Sequence, residues 1–141
     1  MAGRGNSSAL TGLVVGALVA LSFAIIISLL PESLFLQTPR RVLVYLACAL
    51  AAPPTVWFLQ WIARLRRLDQ RTVFLWGAAG AMAFDGLAIG FVPALYGQTG
   101  QALAWTASAL LFAFASLLVA GQVMLGRQVP REARGVRVTP G

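Results

Sequence analysis

The residue best able to do chemistry in this chain is Asp85, which lies near the middle of the apolar run from Val73 to Leu95. An ionisable group in such surroundings is costly unless it is neutralised, paired or hydrated, and in a membrane protein it marks a functional site by default. The other acidic residues, Glu32, Asp69 and Glu132, lie outside the long apolar runs. Asp85 is therefore the candidate proton or substrate site.

Two hydroxyl groups and a helix break are expected at a depth similar to that of Asp85. Counting about 1.5 Å per residue along each helix brings Ser22 and Ser108 close to the level of the carboxyl group. Pro53 and Pro54 lack a backbone N–H, so the carbonyl groups four residues before them lose their usual helical partners. The sequence predicts a polar centre with one carboxyl group, two hydroxyl groups and a kinked helix.

Two interpretations of this centre are open. In the structural one, Asp85 is protonated and its O–H satisfies a carbonyl group freed by the proline pair. In the functional one, Asp85 changes protonation as a proton or substrate passes, and the proline pair together with Gly86 and Gly90 supplies flexibility. The nearest possible counter-ions, Arg40 and Arg41, lie about two helical turns away, so direct pairing is not expected.

The residue types that are missing exclude most other chemistry. The chain has no His and no Lys, and its only cysteine, Cys48, lies inside an apolar run. The usual general bases and activated nucleophiles are therefore absent, and a metal ion would need several ligands where only Asp85 carries charge. We expect no catalytic activity, no bound cofactor and no metal centre.

The elements that hold Asp85 follow from composition. With 59% hydrophobic and 11% charged residues and a mean hydropathy of +0.80, the chain has the character of an integral membrane protein. Helices of about 20 residues span the hydrocarbon core, and four apolar runs are long enough: Ala9–Leu30, Val42–Ile62, Val73–Leu95 and Ala102–Leu125. The fold class is an all-α bundle of four transmembrane helices over residues 1–126, followed by a flexible basic tail, 127–141.

All eleven basic residues are arginines, and their distribution predicts orientation. Nine lie on one side of the spans: Arg4, Arg64, Arg66, Arg67, Arg71, Arg127, Arg131, Arg134 and Arg137. The positive-inside rule places both termini in the cytoplasm. The loop arginines Arg64, Arg66, Arg67 and Arg71 are expected to contact anionic lipid headgroups, and no nucleic-acid motif accompanies them.

Small residues spaced four apart predict where helices approach closely. Gly12 and Gly16 begin such a stripe on the first helix, and Gly86 and Gly90 form another on the third. Three alanines share a helical face with Asp85 and so predict that it faces the bundle interior: Ala78, Ala81 and Ala88. Such stripes serve contacts within one bundle as readily as contacts between chains. They therefore leave open a homo-oligomer or a larger membrane complex.

Residues near the helix ends have expected structural roles. Asp69 precedes the third helix and is expected to cap it. Tyr45, Tyr96 and Trp105 lie toward the ends opposite the loop arginines, where aromatic rings anchor a protein at the membrane surface.

The segment from Phe84 to Tyr96 contains Asp85, a Phe91-x-Pro93 motif and a final aromatic residue. It resembles the third helix of a family of small bacterial four-helix membrane proteins, the domain of unknown function 5367 family. The resemblance implies a multi-pass protein of a bacterial inner membrane and implies no activity. The chain is thus expected to be a structural or accessory membrane component. The alternative is a small proton-linked transporter or channel component that uses Asp85.

Overall fold

The computed structural model describes residues 2–126, with side chains from residue 6 onward. Its helices are α1 (Ala2–Ser28), α2 (Ser33–Leu36), α3 (Thr38–Leu65), α4 (Gln70–Phe91) and α5 (Gly100–Gly126), with one turn of 3-10 helix, Pro93–Tyr96, between α4 and α5. The expected flexible tail, 127–141, lies outside the described residues.

The four long helices, α1, α3, α4 and α5, are each long and apolar enough to cross a membrane. This confirms the predicted all-helical architecture with four candidate spans. Large apolar side chains cover the outer surface, including Leu50 at 76% exposure and Val119 at 65%. Such a surface suits lipid, because apolar side chains face outward and the backbone polar groups of the helices are paired internally, except beside Pro53 and Pro54.

Helix α4 is shifted relative to the predicted span from Val73 to Leu95. It begins at Gln70 because the carboxylate of Asp69 caps it, accepting a hydrogen bond from the backbone N–H of Thr72 at 2.7 Å, which confirms the predicted cap. It ends at Phe91 because Val92, at φ −136° and ψ 57°, precedes a proline and is disfavoured in helical conformation. Asp85 therefore lies only about 9 Å from this helix end.

Helix α3 continues through the proline pair from Thr38 to Leu65. The expected break is therefore a local loss of two backbone hydrogen bonds and not an interruption of the helix. Both rings lie on the exposed side of α3. Next to them, the hydroxyl of Thr55 donates a hydrogen bond to the carbonyl oxygen of Ala51 at 2.8 Å.

Helix packing is uneven around the bundle. The most extensive contact joins α1 to α4, the next joins α3 to α5, and α1 scarcely meets α3. Because the helices alternate in direction, loop 66–69 lies at one end, here called the arginine-rich end. The turn 92–99 lies at the other, here called the Tyr96 end. At the Tyr96 end, α2 packs on α3 and α5.

Glycine allows the close contact between α1 and α4. A methyl group added at Gly16 would overlap the backbone carbonyl of Gly77, and one added at Gly12 would lie 2.6 Å from the carbonyl oxygen of Val73. Gly86 and Gly90, expected to pack as well, instead face away from the bundle, with no atom within 4 Å of an added methyl group. They lie on the side of α4 that α1, α3 and α5 leave uncovered.

Two clusters of buried side chains stabilise the bundle, one toward each end. The first, toward the arginine-rich end, contains Ala52, Val56, Leu59, Phe74, Ala78 and Leu117. The second, toward the Tyr96 end, contains Ala24, Ala88, Tyr96 and Leu110. Phe114 packs against both clusters.

Candidate functional site

A central cavity of about 310 Å³ lies between the two helix pairs. Every long helix contributes to its wall, and Phe35 of α2 covers it toward the Tyr96 end. The cavity exists because facing positions carry small side chains, since seven of the lining residues are alanine. The cavity is partly open, because the lining residues Phe23 and Ile26 are exposed at the outer surface.

Asp85 lies in the wall of this cavity. Its side chain belongs to the buried face of α4 together with the predicted alanines, Ala78, Ala81 and Ala88, and only 4% of it is exposed. It is the only ionisable carboxyl group among the lining residues. The predicted interior position of Asp85 thus corresponds to a cavity wall, and not to a contact between two helices.

The partner of Asp85 is Tyr96, whose hydroxyl donates a hydrogen bond to Oδ1 of the carboxyl group at 2.5 Å. Tyr96 is fully buried and packs against Ala24, Ala88 and Leu110. The expectation that it anchors the protein at the membrane surface is therefore wrong. Burial first, and then the hydrogen bond to Asp85, raise the pKa of Tyr96, so its phenol remains a donor.

The turn after α4 brings Tyr96 back into the bundle. Gly97 follows in the left-handed conformation, at φ 63°, and lies so close to α1 that an added methyl group would be 2.9 Å from the carbonyl oxygen of Ser28. Gln98 is buried and donates to the carbonyl oxygen of Leu30 at 2.9 Å. Thr99 donates to the carboxylate of Glu32 through its backbone N–H at 3.0 Å and its hydroxyl at 2.9 Å. These contacts fix the turn against the end of α1.

The structure does not bring the two candidate hydroxyl groups to Asp85. Ser22 is exposed, and its hydroxyl donates to the carbonyl oxygen of Leu18 in its own helix at 2.9 Å. Ser108 accepts a hydrogen bond from the hydroxyl of Tyr45 at 2.8 Å, which ties α5 to α3. A similar depth along the helix axis does not fix the side of the helix on which a residue lies.

The proline pair lies beside the cavity but does not point into it. Ala52 and Thr55, on either side of Pro53 and Pro54, line the cavity with Asp85, whereas the proline rings face outward. The hydrogen bond that the structure gives Asp85 comes from Tyr96 and not from the α3 backbone.

At the Tyr96 end, the Arg41 guanidinium lies 3.6 Å from the ring centre of Trp105, and Arg40 donates to the Ser33 hydroxyl at 3.3 Å.

Few other polar groups line the cavity. The Thr55 hydroxyl is committed to the α3 backbone, and the Cys48 thiol is a free, weakly polar group. Within residues 2–126 no three side chains of metal-ligating type converge. The arrangement can therefore offer a ligand one carboxyl group in otherwise apolar surroundings.

The loop arginines, Arg64, Arg66, Arg67 and Arg71, are all exposed at the arginine-rich end. Their contact with anionic lipid headgroups stays a prediction.

Comparison of the chain with protein-family models, with curated proteins and with solved structures finds no match. The resemblance of the Phe84–Tyr96 segment to a four-helix family therefore stays a prediction. The function has to be inferred from the cavity and from Asp85 themselves.

Proposed function

We propose that this protein is a small proton-linked transporter or channel component in which Asp85 exchanges its proton as the contents of the central cavity change. The observation that carries the proposal is the position of Asp85, which is almost wholly shielded yet lines the wall of a cavity of about 310 Å³. A carboxyl group that only held helices together would need no empty volume beside it. Ionisable groups within membrane spans commonly mark proton or substrate paths.

The test is proton movement in liposomes that contain the purified protein and an internal pH dye. Under an imposed pH gradient, the wild-type protein is expected to carry protons and Asp85→Asn to fall to the rate of protein-free liposomes. The amide of Asn can still accept the hydrogen bond from Tyr96, so the substitution removes the titratable proton with little change in shape. Ser22→Ala is the matched control, because Ser22 is exposed and lies outside the cavity.

Infrared difference spectroscopy of the carboxyl stretch tests the same proposal without a transported solute. A band that titrates between about pH 5 and about pH 9 and is missing in Asp85→Asn supports proton exchange. A band that never changes, together with no proton movement, would leave Asp85 with a structural role.

A structural or accessory role is the second candidate function. It is favoured by the exposed Gly86 and Gly90 face of α4, which leaves room for another helix to approach. A homo-oligomer or a larger complex would cover this face. Gly86→Ile should then reduce the particle mass measured by light scattering in detergent, whereas an unchanged monomeric mass would remove this support.

For orientation, we infer that both termini face the cytoplasm of a bacterial cell and that the chain spans the inner membrane several times. The support is the concentration of nine of the eleven arginines on one side. In a Cys48→Ser background, Gln37→Cys should react with a membrane-impermeant thiol reagent in spheroplasts, and Arg66→Cys should react only after lysis. The reverse pattern would invert the orientation.

A further inference from the structure

We propose that the central cavity binds a small lipophilic monocation, with the positive nitrogen against the Asp85 carboxylate and the apolar remainder among the side chains of α1, α3 and α5. This inference rests on the proposed function, because it names the class of solute whose binding would displace the Asp85 proton.

The charge of the ligand follows from the groups that line the cavity. Asp85 is the only charged or strongly polar group free to meet a ligand, since the Thr55 hydroxyl already donates to the Ala51 carbonyl. An anion would be repelled by the carboxylate, and a neutral polar molecule would lose its hydrogen bonds to water without replacing them. A single positive charge is complementary to the site, because a buried charge is stable only when it is paired.

The apolar part of the ligand follows from the rest of the wall. Alanine, valine, leucine and isoleucine side chains form most of it, and Phe23 and Phe114 contribute aromatic rings. A volume of about 310 Å³ is at the lower end of the range for small-molecule sites, roughly 300–1,000 Å³. Aromatic faces also attract a cation through their quadrupole. A compact amine with one aromatic or branched group fits these properties.

The route of entry follows from the uneven helix contacts. Helices α1 and α3 scarcely meet, and both carry exposed lining residues. These are Phe23 at 37% and Ile26 at 54% on α1, and Ala47 on α3. Phe35 is 1% exposed and covers the cavity toward the Tyr96 end. The opening therefore lies between α1 and α3, at the surface that faces the hydrocarbon. A solute that already partitions into the bilayer would enter there.

Binding of the cation is coupled to the release of one proton from Asp85. The O–H bond of the Asp85 carboxylic acid breaks, the proton goes to water, and the carboxylate pairs with the cation. No covalent bond forms. One bound cation thus releases one proton, so in the pH range where Asp85 is protonated the apparent affinity should rise by up to about tenfold per pH unit.

The experiment measures binding of radiolabelled benzyltrimethylammonium to the full-length protein in nanodiscs across pH. Its uncharged isostere, neopentylbenzene, has a carbon in place of the nitrogen and separates charge from shape. We expect saturable cation binding that strengthens with pH and weakens by at least about tenfold in Asp85→Asn. Binding of neopentylbenzene should not depend on pH or on Asp85.

A second pair of variants tests the cavity without touching Asp85. Ala113→Leu fills the cavity from α5 and should abolish cation binding, whereas Ala115→Leu adds the same side chain on the exposed side of the same helix and should leave it unchanged. Helix content by circular dichroism checks that both variants are folded. This pair remains informative even if Asp85→Asn does not fold.

The outcomes separate this inference from the proposed function. Proton movement that depends on Asp85, without saturable cation binding, would overturn the inference and leave the function standing. Cation binding that depends on Asp85 but not on pH would support the ligand class and contradict proton exchange. Equal cation binding in wild type, Asp85→Asn and Ala113→Leu would overturn the inference, as would uptake of neopentylbenzene alone, which would indicate a site for a neutral acyl chain.

Discussion

The hydroxyl of Tyr96 and Oδ1 of Asp85 lie 2.5 Å apart, deep between the helices, although the two residues belong to different elements. Asp85 is in α4, whereas Tyr96 ends the 3-10 turn that follows it. The carboxyl group thus has a phenol on one side and the cavity on the other. Any movement of the turn 92–99 would change the surroundings of Asp85, which couples the Tyr96 end of the bundle to the cavity.

The first prediction concerns this hydrogen bond. Tyr96→Phe removes the donor and keeps the ring. The free energy of unfolding should fall by about 0.6 kcal/mol, the average for polar contacts between membrane helices, and by no more than about 1.7 kcal/mol, the largest value measured. The infrared carboxyl band of Asp85 should shift at the same time. Unfolding in mixed micelles and infrared difference spectroscopy measure the two effects.

Tyr45→Phe is the matched control for that prediction. It also removes a phenol that donates to a side chain, in this case to the Ser108 hydroxyl across α3 and α5. It should lower stability by a similar amount but leave the Asp85 band unchanged. A band that moves equally in both variants would contradict the assignment of the shift to the Tyr96 hydrogen bond.

The second prediction concerns the turn that positions Tyr96. Gly97 and Gly100 both have left-handed backbone conformations, at φ 63° and 49°, so replacing either with Ala should cost about 1–2 kcal/mol. Only at Gly97 does the added methyl group also press on the Ser28 backbone of α1. Gly97→Ala should therefore be the more destabilising and should alone shift the Asp85 infrared band. Equal shifts in both variants would exclude the contact with α1 as the cause.

The architecture was predictable from the sequence because long apolar runs have few alternatives in a membrane. The exact ends were less predictable. Pro93 terminates α4 at Phe91, yet the apolar residues after it extend the hydropathy pattern to Leu95. Hydropathy records how apolar a residue is, and not whether its backbone is helical.

The candidate site was predictable only in part. Asp85 is identifiable as a lone acid in an apolar run, and the alanines on its face indicate that it points inward. The Tyr96 partner was not predicted, because an aromatic residue beside a turn glycine has the same pattern whether it anchors at the surface or folds back into the core. The Phe91-x-Pro93 motif was the available indication that Tyr96 folds back, because the proline ends α4 early and lets the chain return to the bundle. The cavity depends on alanines from four helices and needs three-dimensional contacts to be found.

The third prediction concerns the approach of α1 to α4. Gly16→Ala places a methyl group against the backbone of Gly77, which cannot move without separating the helices. We expect a loss of about 1–3 kcal/mol in the free energy of unfolding, as for overpacked sites. Gly86→Ala is the control on the uncovered side of α4, where the higher helix propensity of Ala should stabilise the protein by about 0.5–1 kcal/mol. Destabilisation by Gly86→Ala in the monomer would contradict the exposed position of that face.

The fourth prediction concerns acid stability at the start of α4. Hydrogen bonds from the Thr72 side chain and then from its backbone N–H hold the pKa of Asp69 below its usual value. Because the folded-state pKa is depressed, this carboxylate contributes its full stabilisation above its unfolded value of about 3.9. The contribution is lost as the pH falls through the lower, folded-state pKa.

Asp69→Ala should therefore cost about 0.5–2 kcal/mol at neutral pH, as for other lost helix caps, and the difference from wild type should shrink as the pH falls below about 4. Asp69→Asn keeps a capping oxygen that does not titrate, so its advantage over Asp69→Ala should persist in acid. Unfolding in mixed micelles over a pH series measures all three proteins. A wild-type advantage over Asp69→Ala that stays constant into strong acid would mean that the ionised carboxylate is not what stabilises this helix end.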